Sequence, residues 1–166
     1  MKKVSAHENL TDEEIEKAKK ELALYEKYRS NDMGIAMTHL KAAVDLDYHE
    51  AYPTLFLQYK DGKVDWMSEK EIIERLKLSA DDGDGRAETL LGLYYMYDQK
   101  DEVTGLDFLH RAAFHEESVG TYRLASHYSS KGEIVAMDYL YKAAALGYGE
   151  AIKDVAELEK DIGLSE

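Results

Sequence analysis

The stretch LYKAAALGYGEA, residues 140–151, contains the spacing that decides the fold of this chain. Its opening leucine has three earlier equivalents, so four positions begin the same pattern: Leu40, Leu76, Leu109 and Leu140. A small residue follows each leucine by eleven positions and an aliphatic residue follows by fifteen: Ala51, Ala87, Gly120 and Ala151, then Leu55, Leu91, Leu124 and Val155. The leucines are 36, 33 and 31 residues apart. Recurrence at this period predicts a repeat protein with one variable segment in each repeat.

The apolar positions inside each repeat have the rhythm of α-helices. Leu91, Tyr94 and Tyr95 show the i, i+3, i+4 spacing of one helical face. Thr11 and Ser68 each precede a glutamate by three residues, the pattern of a capping box, which predicts helices that begin near residues 12 and 69. A leading helix before the four leucine-headed units completes the pattern. We therefore predict an all-α chain of about nine antiparallel helices.

The predicted ends of the leucine-bearing helices differ from repeat to repeat. Gly83 and Gly147 follow their leucines by seven residues, where a left-handed residue would end the helix. Asp47 and Glu116 hold the equivalent positions, and glutamate tolerates that conformation poorly, so we expect the third turn to be built differently. Pro53 lies inside a predicted helix but has no amide hydrogen. That helix either starts late or is kinked.

The segments 140–151 and 109–113, together with Leu91, Gly92 and Tyr95, resemble the Sel-one-like repeat, a relative of the tetratricopeptide repeats. The resemblance extends over roughly residues 20–160. Phe56 and Ala125 depart from it, because the family has glycine at these positions. The resemblance implies a right-handed α/α superhelical solenoid in which the first helix of each pair lines a concave surface that binds other proteins. We expect residues 1–10 to form an N-terminal tail and residues 11–162 to form a single repeat array.

Composition narrows the chemistry that this chain of 166 residues can perform. It contains no cysteine, which excludes disulfide frameworks and cysteine-ligated metals and is compatible with a reducing cytoplasm, where we expect the protein. The formal net charge is −13, from 21 basic and 34 acidic residues. Such a charge disfavours nucleic acids and anionic membranes as partners and favours a basic protein. No stretch approaches membrane-spanning length.

We predict neither a catalytic site nor a cofactor. The six histidines include no pair four residues apart on a helix, and no Ser-His-Asp arrangement follows from the order of residues. The acidic segment 81–86, DDGDGR, has glycine where a calcium loop requires oxygen ligands. We interpret this segment as a turn between repeats.

A candidate binding surface follows from helical geometry. The first three repeats also have a tyrosine nineteen residues after the leucine: Tyr59, Tyr95 and Tyr128. If the repeat alanine, the leucine four residues later and this tyrosine are buried, the residues two, six, nine and ten after the alanine face the groove, because each residue turns a helix by about 100°. Such positions, with Arg86 at the edge, give the predicted partner-binding residues Leu57, Lys60, Arg86, Thr89, Leu93, Met96, Tyr97, Tyr122 and Ser126. The alternative is that neighbouring first helices pack through these residues. Trp66 either anchors a partner or covers the core beside Met67.

Several functions are compatible with this sequence. The leading hypothesis is a non-catalytic module that binds a peptide or protein in its concave groove. The alternative is a small acidic inhibitor or immunity protein that neutralises a basic toxin or effector, for which the small size and negative charge are the motivation. Nucleic-acid mimicry by rows of carboxylates is a third hypothesis, and a hydrolase activity, assigned to some relatives of this repeat class, is a fourth. The sequence leaves the partner and the oligomeric state open.

Overall fold

The computed structural model describes residues 10–161, and within this range the chain forms nine α-helices and no β-strand. In chain order they are α1 (Asp12–Tyr28), α2 (Met33–Asp45), α3 (Tyr52–Lys60), α4 (Glu69–Asp81), α5 (Gly85–Leu93), α6 (Glu102–Phe114), α7 (Ser118–Ser130), α8 (Val135–Ala145) and α9 (Gly149–Asp161). A short 3₁₀ turn, His49–Ala51, precedes α3, and a π-helical segment, Tyr94–Asp98, follows α5. The prediction of an all-α chain with about nine helices is confirmed for the described residues.

The two predicted helix starts are formed by capping boxes. The Thr11 hydroxyl accepts a hydrogen bond from the Glu14 amide at 3.2 Å, and the Thr11 amide donates to the Glu14 carboxylate at 2.8 Å. Ser68 and Glu71 make the same reciprocal pair at the start of α4. The hydrogen bonds from Thr11 and Ser68 lower the pKa of Glu14 and of Glu71, because they stabilise the ionised carboxylates. Both predicted starts are therefore confirmed.

The described residues fall into two compact units, divided between Asp82 and Gly83. The first unit holds α1 to α4, in which α1 packs on α2 and α3 packs on α4. The second unit holds α5 to α9, in which α5 packs on α6, α7 packs on α6 and α8, and α9 packs on α8.

The repeat residues form the cores of the two units. The leucines that open the first three repeats are fully buried, as are the leucines fifteen residues later: Leu40, Leu76, Leu109, Leu55, Leu91 and Leu124. The small residues between them are buried as well: Ala51, Ala87, Gly120 and Ala151. In the last repeat, Leu140 and Val155 are only half-buried. The sequence pattern thus predicts which side chains fill the two cores.

The turn at Glu116 has the same conformation as the glycine turns, so the expectation that the third turn is built differently was wrong. Glu116 has φ of 59°, compared with 85° at Gly147 and 52° at Asp47. After α6, the Glu116 amide donates to the Ala113 carbonyl at 3.3 Å and the Glu117 amide to the Ala112 carbonyl at 2.9 Å. The turns at Asp47 and Gly147 contain equivalent pairs of bonds. These bonds stabilise the turn against the cost of a left-handed glutamate, about 1 to 2 kcal/mol.

Pro53 is accommodated by a late helix start. The 3₁₀ turn His49–Ala51 occupies the beginning of the predicted helix, and α3 starts only at Tyr52. Pro53 is then the second residue of α3, where the backbone amide would have no acceptor within the helix in any case. Of the two alternatives, the late start is confirmed. Pro53 stands two residues after the repeat alanine Ala51, a position expected to face the groove, but it is buried, so that expectation was wrong for this residue.

Candidate functional site

The predicted partner-binding residues of the first unit lie at its surface. Leu57 and Lys60 are exposed on α3, and Leu57 is 41% exposed although the residues beside it, Phe56 and Gln58, are buried. Trp66, in the segment after α3, is half-buried, and the Lys41 ammonium lies 5.0 Å from the centre of its ring. This cation–π contact ties the Trp66 ring to α2.

In the second unit, two of the predicted residues line a depression of about 150 Å³. Tyr122 and Ser126 contribute to it from α7, Met137 from α8 and Asp154 from α9. The lining thus combines an aromatic ring, a thioether, a hydroxyl and a carboxylate. Shallow pockets of this composition suit a protruding side chain of a partner protein.

Tyr122 is held in place by its neighbours in this depression. Its hydroxyl donates to Asp154 Oδ2 at 2.8 Å, and its ring lies 4.9 Å from the ring of Tyr148. The hydrogen bond to Asp154, which favours the protonated phenol, raises the pKa of Tyr122. The Ser126 hydroxyl donates to the Tyr122 carbonyl at 3.1 Å. Tyr122 therefore presents a preorganised ring to the depression.

Met137 and Asp154 are site residues that the sequence analysis missed. Met137 lies on α8, a leucine-bearing helix, whereas the predicted groove drew only on the other helix of each pair. Asp154 stands three residues after the repeat alanine rather than two. A search for exposed methionines on all helices would have found the first, but no spacing rule identified the second.

Thr89 lies inside the second unit, which corrects the expectation that it faces a groove. It is 4% exposed, and its hydroxyl donates to Glu117 Oε2 at 2.7 Å. The Gly120 amide donates to the same oxygen at 2.6 Å. Gly120 lets α5 and α7 approach this closely, because a Cβ there would meet Thr89 Oγ1 at 2.4 Å. Thr89 thus fastens α5 to the start of α7.

The residues predicted after Thr89 divide into packed and exposed side chains. Leu93 is half-buried, and Met96 is half-buried against the cluster of Leu109 and Leu124. Tyr97 is 62% exposed. Arg86, at the start of α5, is exposed as well.

The π-helical segment Tyr94–Asp98 explains this division. The Gln99 amide bonds to the Tyr94 carbonyl at 3.1 Å, an i to i+5 bond that adds one residue to the turn. The rotation of 100° per residue used in the prediction therefore does not hold for Met96, which packs on Gly105. A Cβ at Gly105 would come within 2.2 Å of Met96 Cγ.

A buried carboxylate, Glu88, lies in the first turn of α5 and was not anticipated from the sequence. It is 0% exposed, and it accepts hydrogen bonds from Arg111 Nε at 3.0 Å on one oxygen. His115 Nδ1 lies 2.7 Å from the other oxygen. Arg111 lies on α6 and His115 directly follows it, so Glu88 connects α5 to the C-terminal end of α6. Both oxygens of this buried carboxylate thus have a partner in the chain.

The described part of the chain holds no group of three or more histidine or carboxylate side chains arranged to bind a metal ion. Among residues 10–161, none of the helices combines the length and the apolar character needed to cross a bilayer.

No protein-family model matches the sequence, and no curated protein matches it. Solved structures do resemble the chain. A Sel1 repeat protein from Oxalobacter formigenes superposes with a TM-score of 0.76 over 90% of this chain, at 20% identity. The fold is that of a Sel1 repeat protein. The resemblance inferred from the leucine and alanine spacing is thus confirmed, and the Sel1 repeat accounts for the buried repeat positions of both units.

A second structure with this Sel1-like arrangement of helices is an immunity protein from Pseudomonas aeruginosa. It superposes with a TM-score of 0.59 over 81% of this chain, at 21% identity. The chain spans 64% of the Oxalobacter protein and 53% of the Pseudomonas protein, less than two thirds of either.

Proposed function

We propose that this chain is a non-catalytic protein-interaction module that binds a peptide or protein through the groove face of its Sel1 repeats. The observation that carries the proposal is the depression beside Tyr122, because the predicted groove residues Tyr122 and Ser126 line it together with apolar side chains such as Met137 and Leu140. Tyr122 is fixed by Asp154, so little conformational entropy is lost when a partner contacts it. Tyr97 adds an exposed aromatic ring within the same unit.

The other predicted residues take subsidiary parts in this proposal. Leu57 and Lys60 are the binding residues proposed for the first unit, and Arg86 selects charge on the second. Leu93 and Met96, which are half-buried, belong to the same proposed binding set as Tyr97. We further propose that residues 11–162 act as one array, and that the protein works in the cytoplasm without a cofactor.

The test starts with affinity purification from the source cells, with the intact chain as bait. The partner that is recovered is then purified, and its binding is measured by calorimetry against a Tyr97→Lys, Ser126→Lys variant. Both side chains are exposed, so helicity and melting should not change. We expect affinity to fall at least about tenfold. Lys70→Ser, at an exposed position of the first unit, is the matched control, and equal binding by all three proteins would exclude the groove face.

A second candidate function is an acidic inhibitor or immunity protein that neutralises a basic toxin or effector. Two observations favour it: the likeness to the Pseudomonas immunity protein, and the net charge of −13 with an isoelectric point near 4.9. Opposite charges steer association, so the association rate with such a partner should fall steeply as salt rises. Stopped-flow measurements over a salt series test this, and a rate that is independent of salt contradicts it.

A further inference from the structure

In the second unit, the outer faces of α6 and α8 are each formed by four repeat positions, and several of these positions carry apolar side chains where a solvated helix is polar. The positions lie six and two residues before the repeat leucine, and one and five residues after it. In α6 they are Val103, Asp107, His110 and Phe114, and in the segment of α8 they are Ile134, Asp138, Tyr141 and Ala145. Offsets of four, three and four residues place each set on one side of its helix.

The apolar members of this outer face are open to solvent. Val103 is 81% exposed, Phe114 79% and Ile134 90%, and Tyr141 is 39% exposed. None of them contributes to the buried cores. Single exposed apolar residues are common on proteins, but a repeated set on adjacent helices marks an interaction site.

The first unit shows that the fold does not need apolar residues at these positions. The equivalents are Gly34, Thr38, Lys41 and Asp45 on α2, then Lys70, Glu74, Lys77 and Asp81 on α4. Lys41 pairs with Asp45 at 2.9 Å, and Lys70 pairs with Glu74 at 4.0 Å. The outer face of the first unit is therefore polar and largely neutralised by its own ion pairs.

Side chains join the outer faces of α6 and α8 within the second unit. The Tyr139 hydroxyl lies 3.1 Å from His110 Nδ1, and the Tyr128 hydroxyl lies 2.8 Å from His110 Nε2. The Lys142 ammonium donates to the Ala113 carbonyl at 2.5 Å. The rings of Tyr128 and Tyr139 stack with 5.7 Å between their centres. These contacts, made by His110 and by residues beside the two faces, hold α6 and α8 next to each other.

The charge on this surface indicates the kind of partner. Asp107 and Asp138 stand between the apolar residues, and neither forms an ion pair with any described residue of the chain. A second copy of the chain would bring the same aspartates and a net charge of −13 to the contact, which opposes self-association. A partner with lysine or arginine beside its apolar side chains complements both features.

We propose that the outer face of α6 and α8 is a second docking surface, which binds a basic protein. Apolar side chains of that protein cover Phe114 and Ile134, while its cations pair with Asp107 and Asp138. This inference rests on the proposed function only in requiring a protein partner, since it assigns a different face of the repeats.

Site-specific photo-crosslinking in the source cells tests this surface. A benzoylphenylalanine residue replaces Phe114 or Ile134 in the intact chain, and Asp81 or Lys70, their equivalents on α4, in the controls. We expect the same basic protein to be captured from both positions of the second unit and from neither control. No capture, capture of a second copy of this chain, or capture of a partner that is not basic would overturn the proposal.

The captured protein is then purified and titrated against defined variants. Phe114→Ser with Ile134→Ser should weaken binding at least about tenfold, while Lys70→Ser leaves it unchanged. Asp107→Asn with Asp138→Asn should slow association and flatten its salt dependence. Unchanged binding by the serine variant rejects the outer face. If Tyr97→Lys with Ser126→Lys alone abolishes binding, the groove proposal stands and this one fails, and the reverse result rejects the groove.

Discussion

The α3–α4 pair of the first unit and the α5–α6 pair of the second unit fill the same repeat positions with opposite kinds of residue. One residue after the repeat alanine stands Tyr52 in the first unit and Glu88 in the second. Five residues after it stand Phe56 and Gly92. The repeat thus fixes the positions at which the two helices of a pair contact each other, whereas the residue types at that contact differ from one repeat to the next.

In the first unit, the side chain that α3 contributes to its contact with α4 is neutral. Arg75 Nη1 donates to the Tyr52 hydroxyl at 3.0 Å and to Asp47 Oδ1 at 2.7 Å, and its guanidinium lies 5.4 Å from the centre of the Tyr52 ring. Tyr52 is fully buried, but Asp47 is 70% exposed, so no uncompensated charge is buried if Arg75 is lost.

In the second unit, the contact between α5 and α6 is ionic, and the two backbones lie close together. Glu88 is buried and holds Arg111 and His115. At Gly92, a Cβ would lie 2.7 Å from Leu109 Cγ and 3.0 Å from the Gly105 carbonyl oxygen. The α5 and α6 backbones therefore approach through two glycines, where the first unit has the Phe56 ring.

The largest effect is expected from Phe56→Ala, because the ring is only 4% exposed and its removal leaves a cavity in the core of the first unit. Loss of the buried ring should lower the free energy of unfolding by roughly 3 to 5 kcal/mol. Urea denaturation followed by far-ultraviolet circular dichroism measures it. A loss similar to that of an exposed substitution such as Leu57→Ala would show that α3 does not depend on the ring.

Arg111→Ala, compared with Arg75→Ala, tests whether the ionic contact between α5 and α6 stabilises the chain more than the neutral contact between α3 and α4. It leaves the buried Glu88 carboxylate with only His115, and we expect a loss of roughly 3 kcal/mol in the free energy of unfolding. The matched variant Arg75→Ala leaves a neutral phenol and should cost about 1 kcal/mol. Both are measured by urea denaturation under identical conditions. Equal losses would mean that the charge on Glu88 makes no difference to the contact.

Gly92→Ala tests the close approach of α5 to α6. The added methyl group must displace Leu109 or the Gly105 backbone, and overpacking of this kind costs about 1 to 3 kcal/mol. Gly34→Ala, at an exposed position on α2, is the control and should be neutral or slightly stabilising. Thermal melts of the two variants compare them directly. If Gly92→Ala melts with the wild type, the approach is not tight.

The smallest effect concerns alkaline pH. Burial raises the pKa of Tyr52 to about 12. The folded chain then holds the phenol proton more tightly than the unfolded chain, whose tyrosines titrate near pH 10. Stability conferred by Tyr52 is thus complete below about pH 10 and is lost as the pH rises toward about 12.

Tyr52→Phe should reduce this alkaline loss. Part of it will remain, because burial also raises the pKa of Tyr48 to about 12. Urea midpoints across the alkaline range, with phenolate absorbance recorded alongside, provide the measurement. An alkaline slope as steep in the variant as in the wild type would contradict the assignment to Tyr52.

The sequence predicted the fold well because core positions recur with a fixed period. Leu40, Leu76 and Leu109 are buried as the period requires, and Thr11 and Ser68 cap helices at the predicted residues. Each of these signals lies within a few residues of the structure it specifies, or is repeated along the chain.

The site was predicted less completely, because its geometry depends on contacts between distant residues. Glu88 finds its partners 23 and 27 residues later, and Thr89 is buried because Gly120 admits α7. The π-helical segment at Tyr94–Asp98 has no periodic signature and turned Met96 toward the core. The same 3.6-residue period that predicts the core also predicted the positions of Tyr122 and Ser126. That these two residues bind a partner remains a proposal.

The left-handed turn that closes α2, α6 and α8 has a bearing on how such a chain changes during evolution. Aspartate, glutamate and glycine all adopt it with equivalent pairs of hydrogen bonds, so no single residue type is required where one repeat ends and the next begins. We therefore expect duplication or deletion of one repeat to be tolerated at these turns, and descendants of this chain to differ in length by whole repeats.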